Sequence, residues 1–119
     1  MDATEAKQLI LKELERLEHA HKIRNFGMAR VCGRRASGMA IGFWLEQEPR
    51  EAYGNSYLAH LKALVDDERV HPEVRRAAQR LTAHKNVVNR QETSLDPLAD
   101  AVLIIRYVER QTGASLLPV

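Results

Sequence analysis

Arg80 and His84 stand one helical turn apart, with Arg76 a turn earlier on the same side. An arginine binds phosphate oxygens through a planar, permanently charged fork. A histidine beside it can move a proton near neutral pH. Together they could cleave RNA without a metal. The plainer reading of the same spacing is the wet face of an amphipathic helix, where surface charge is the norm. Catalysis through Arg80 and His84 is therefore kept as the alternative, and no motif in the chain fixes a reaction. Cys32 and Arg35 also lie about one turn apart, and the arginine could lower the thiol pKa if both faced a cleft. A buried, inert thiol is the preferred reading, because free cysteine behaves mostly as a small apolar residue.

Other chemistries find less footing. His19 and His21 are two residues apart, which points their rings to different sides of a helix and away from a shared metal. His60 and His71 read as structural or exposed. No Asp or Glu recurs with the histidines at a zinc-ligand spacing, and the lone cysteine gives no zinc signature and no internal disulfide. None of Ser37, Ser56, Ser94 and Ser115 has the strand-turn-helix context of a nucleophile elbow. Asp66, Asp67 and Glu68 read as a solvated charge run at a helix end. No cofactor or metal is expected.

Charge is more informative. The net charge is only +2, but it is segregated. The stretch from His19 to Leu45 holds Lys22, Arg24, Arg30, Arg34 and Arg35 and no acid. From Val74 to Gln91 come Arg75, Arg76, Arg80, Lys85 and Arg90, again with no acid. Segregation of this kind makes a positive lobe that attracts anions. Arg30, Arg34, Arg76 and Arg80 are the candidate anion-binding residues. The aromatics are few and none interleaves with them, so no base-stacking platform is expected.

Five helices and no strand must position these groups, in one all-α antiparallel bundle spanning residues 1 to 119. The first runs from about Ala3 to Lys22 behind an Asp2 cap, with Ala3, Ala6, Ile10, Leu14 and Leu17 buried and Leu9 and Leu11 widening the stripe. A short connection returns the second helix, Asn25 to Gln47, antiparallel to the first. Its seam is Ala29, Cys32, Ala36, Met39 and Phe43. Its far side carries Arg30, Arg34, Gly38, Ile41 and Leu45 instead of a uniformly polar surface. Each interior glycine costs about 1 kcal/mol relative to alanine, so Gly33, Gly38 and Gly42 need a compensating close contact. Gly38, Ile41, Gly42 and Leu45 are the candidate interface, expected to meet a second body such as a partner chain.

An exposed loop follows from Glu48 to Asn55. The third helix starts at an Asn55 or Ser56 cap and ends near Asp67, with Tyr57, Leu58, Leu61, Leu64 and Val65 as its apolar face. The fourth begins at His71-Pro72 and buries Val74, Ala77, Leu81 and Val88. Asn89 to Ser94 is a loop. Asp96-Pro97 opens the fifth, a central helix that runs to about Gln111 and stops at Gly113. The tail from Ala114 docks or frays. The chain begins without a signal-peptide pattern and has no apolar run long enough for a membrane span, so the cytoplasm is the expected location.

A small bundle that opens with two long antiparallel helices, the second rich in Ala, Gly and Arg, resembles the HEPN superfamily of prokaryotic helical domains over roughly residues 3 to 111. Its ribonuclease members pair an arginine and a histidine spaced more widely than Arg80 and His84, so the resemblance implies a binding or partner domain. Such domains are often dimeric. The expected function is a non-enzymatic, homodimeric binding module with a basic surface for RNA, a nucleotide or an acidic protein. A ribonuclease and a structural subunit of an assembly are the alternatives.

Overall fold

The computed structural model describes residues 1–83 and 93–118. Among the described residues there are five α-helices: α1 (Ala3–Lys22), α2 (Phe26–Gln47), α3 (Tyr57–Asp66), α4 (Pro72–Thr82) and α5 (Pro97–Thr112), with a 3-10 turn at Glu51–Tyr53. Among the described residues there is no strand. His84, Lys85, Val88, Arg90 and the first part of the predicted Asn89–Ser94 loop lie outside the described residues.

Local chemistry sets most of the helix ends. Asp2 accepts from the Glu5 N–H (2.8 Å), Asn25 from Met28 (3.1 Å), Ser56 from Ala59 (3.0 Å) and Asp96 from Ala99 (3.0 Å). Each satisfies a donor that the first helical turn leaves unpaired. Gly113 ends α5 at φ 75°, a left-handed conformation that glycine adopts without strain. The α1–α2 turn places Arg24 at φ 60°.

The second helix is innermost. It packs against α1, α5 and α3 and touches α4. Ala29, Cys32, Ala36 and Phe43 are buried on its predicted seam, and Met39 is partly buried. The opposite side is met by the chain's own helices rather than by a second chain. A Cβ on Gly38 would lie 2.7 Å from Tyr57 Cγ and closer still to Tyr57 Cβ. One on Gly33 would lie 3.2 Å from Leu81 Cδ2 and 3.3 Å from the Pro97 carbonyl oxygen. Gly38 and Ile41 are fully covered within the chain, so neither offers a surface to a partner. Gly42 and Leu45 are half-buried, and both line a shallow cavity with Met39, Tyr57 and His60. The close contact the glycines require is thus supplied by α3, α4 and α5.

Three further expectations change. Tyr57 and Leu58 are each 42% exposed, while His60, Leu61 and Leu64 are buried, so α3 is rotated relative to its apolar pattern. His60 takes a core position because its Nδ1 donates to the Tyr53 carbonyl (2.8 Å). The Glu48–Asn55 loop is not wholly exposed: Tyr53 is buried, edge-on to Trp44, and donates its hydroxyl to Asp67 (2.7 Å). Asp67 is accordingly no solvated end-charge. Its side chain is 7% exposed and pairs with Arg50 (3.1 Å) and Arg69 (3.0 Å). These hydrogen bonds, Arg69 first, hold its pKa down at about 2. Leu9 and Leu11 are exposed.

The tail docks. Leu116 and Leu117 are buried, and their N–H groups donate to Glu109 Oε2 at 2.7 and 3.1 Å. Among the described residues no helix is long and apolar enough to cross a membrane.

Candidate functional site

Arg30 and Arg34 sit one turn apart on α2, and both are half-buried. Arg34 Nη1 donates to the Leu81 carbonyl (3.0 Å) at the C-terminal end of α4, where carbonyls lack helical partners. Burial first, and then the charge of Arg30, lowers the Arg34 pKa. Like charges one turn apart repel. Among the described residues, neither arginine lies within salt-bridge distance of a carboxylate. The pair is therefore a fixed positive site with its repulsion unrelieved by any described acid.

The other two predicted anion-binding arginines do not join it. Arg76 is exposed and lines a separate shallow cavity with Arg75, Asp66 and Pro72. Arg80 is committed to Asp100. Its Nη2 donates to Oδ1 at 2.7 Å and its Nε to both carboxylate oxygens at 3.2 Å. Asp100 is 7% exposed at its side chain and also accepts from Ser94 Oγ (2.6 Å). It lies in the first turn of α5, where the helix dipole favours a negative charge. Arg80 therefore acts as a tie between α4 and α5, which corrects its assignment as an anion ligand. The same commitment withdraws the arginine from the alternative Arg80–His84 catalytic pair, whose histidine lies outside the described residues.

Cys32 and Arg35 do face one cleft. It runs along the seam of α1 and α2 and has a volume of about 620 Å³. The thiol is 1% exposed, and its pKa is raised because burial and the nearby Glu13 carboxylate outweigh the pull of Arg35. Inertness, not activation, is the consequence. Glu13 is itself buried, with one oxygen on Arg16 (3.0 Å) and the other, Oε2, without a partner among the described residues.

This groove is not anticipated from sequence. Its signal is present but divided: Lys12, Arg16, His19 and Ile23 recur at intervals of four, three and four on α1, facing Met28, Cys32 and Arg35 on α2. Neither series stands out until the two helices are laid side by side. His19 lines it, whereas His21 turns to the far side and packs edge-on to Phe26 at 5.5 Å. His71 caps α4, accepting from the Glu73 N–H (3.3 Å).

Among the described residues, no three or more His, Cys, Asp or Glu side chains are grouped so that they could hold a metal ion. Comparison with protein-family models, with curated proteins and with solved structures finds no match to this chain.

Proposed function

We propose that the chain is a non-enzymatic, HEPN-like binding module that acts in the cytoplasm as a homodimer and docks an acidic protein on the N-terminal half of α2. The observation that carries this reading is the Arg30–Arg34 pair, two adjacent half-buried cations that no described carboxylate neutralises. An incoming carboxylate relieves their repulsion and gains from their partly desolvated setting.

An exposed aromatic residue beside the pair favours a protein over RNA. Phe26, one turn before Arg30 on the same side of α2, is 48% exposed. Arginine and aromatic side chains are enriched together in protein interfaces, whereas a strand of RNA calls for several stacked aromatics among the cations. The homodimer is proposed from the resemblance to HEPN domains, on a face other than this cationic pair.

Fluorescence anisotropy with a labelled acidic peptide and a labelled single-stranded RNA of equal charge tests the proposal. The peptide is expected to bind more tightly, with affinity falling as salt rises and lost in Arg30→Glu. Tighter RNA binding would move the partner class to nucleic acid. Binding of neither, or binding indifferent to Arg30→Glu, would overturn the reading. Light scattering tests the dimer, and a monomeric mass at high concentration refutes it.

A further inference from the structure

The groove between α1 and α2 is separate from the surface just described. Its volume, about 620 Å³, falls within the roughly 300–1,000 Å³ of small-molecule sites. Its two ends differ in chemistry. Because α1 and α2 run antiparallel, Lys12 and Arg35 flank the end remote from the turn, while Ile23 and Met28 line the end nearest to it. Met28 and Arg35 are separated by about 10 Å along the helix axis at the usual rise per residue. Between them the buried Cys32 contributes an apolar floor.

The charge of the site is small and definite. Glu13 neutralises Arg16 at 3.0 Å. Glu15 on the rim offsets one of the two remaining strong cations, Lys12 and Arg35, and leaves about one positive charge. Among the described residues neither Lys12 nor Arg35 lies in a salt bridge. One uncompensated cation at the end of a half-apolar groove matches a single anionic head on a hydrocarbon body.

We infer that the α1–α2 groove binds a small organic monoanion with an apolar body, such as a medium-chain carboxylate. The carboxylate sits between Lys12 and Arg35, and the chain lies over Cys32 toward Met28 and Ile23. Glu13 is a positioning residue: it holds Arg16 at the rim and lowers the site's charge, which favours a monoanion over a phosphate dianion.

Isothermal titration of the full chain with octanoate, octanol and octylammonium tests this. One octanoate per chain is expected, with octanol at least about tenfold weaker and octylammonium not bound. Arg35→Gln, a change at an exposed side chain, should weaken octanoate at least about fivefold and leave octanol unchanged. Met28→Ser should weaken both. Arg30→Glu, which strikes the protein-docking surface, should leave octanoate binding intact, so the two proposals fail separately. Absence of octanoate binding at millimolar concentration, equal affinity for octanol, or indifference to Arg35→Gln would overturn the assignment.

Discussion

Gly38, Gly33 and Gly42 share one helix and one propensity term, but their surroundings differ, so alanine at each reads the local packing directly. In an open helix interior, glycine to alanine stabilises by about 1 kcal/mol. Gly42→Ala meets only His60 Nε2 at 3.8 Å, an ordinary contact. It should gain nearly the whole amount and raise the melting temperature by about 3–5 °C for a domain of this size. Gly33→Ala meets Leu81 Cδ2 at 3.2 Å and the Pro97 carbonyl at 3.3 Å. The leucine tip can yield but the backbone oxygen resists, so the propensity gain and the clash should roughly cancel. Gly38→Ala places its Cβ 2.7 Å from Tyr57 Cγ and nearer still to Tyr57 Cβ, the atom that joins the side chain to the start of α3. No rotamer moves that carbon, and α3 itself must shift. Overpacking of this kind costs about 1–3 kcal/mol even after local adjustment. A net destabilisation of about 1 kcal/mol, and at most about 2, is expected after the helix gain. Tyr57→Gly removes the obstructing carbon, so the Gly38→Ala/Tyr57→Gly double variant should be more stable than the sum of its singles predicts. Thermal and urea unfolding of the five variants would check the series. A Gly38→Ala protein as stable as Gly42→Ala, or strictly additive energies with Tyr57→Gly, would refute the claim that α2 is held against α3 at this glycine.

Two other outcomes follow from the buried charges. Arg80→Met leaves Asp100 buried with only Ser94 among the described side chains as a donor; allowing for the partial exposure of Arg80, this should destabilise by about 2–3 kcal/mol in urea unfolding. A loss below about half a kcal/mol would show the pair to be a surface contact. Asp67, held at about 2 in the folded chain, stabilises fully above its unfolded value near 4 and loses that contribution as pH falls through its folded pKa. Glu109 acts in the same direction: burial pushes its pKa up, but donors from Leu116, Arg106 and Leu117 prevail and hold it below the usual value. Stability should therefore decline from about pH 4 toward pH 2, more shallowly in Asp67→Asn, as followed by thermal unfolding at stepped pH.

Much of the fold is written in short-range chemistry. Caps at Asp2, Ser56 and Asp96 and the left-handed Gly113 need only their own neighbours to act, and all four set helix ends where a linear reading expects them, while Asn25, expected as the first helical residue, caps α2 instead. The apolar spacing of Ala6, Ile10, Leu14 and Leu17 likewise determines which side of α1 is buried. The crowded far side of α2 is also legible, because its glycines demand a close neighbour whoever supplies it. The identity of that neighbour is decided in three dimensions: Tyr57 and Leu81 come from helices 19 and 48 positions further along from Gly38 and Gly33, and no local pattern in α2 distinguishes them from a second chain. The same holds for the charges. Arg80 and Asp67 look like solvated surface until Asp100 and Tyr53 are brought to them, and the α1–α2 groove exists only once two unremarked series are set antiparallel. Propensity and capping act over one helical turn, so the chain order specifies them. Pairing of buried charges and the shape of a cleft depend on which helices lie opposite one another, which packing of the whole core alone determines.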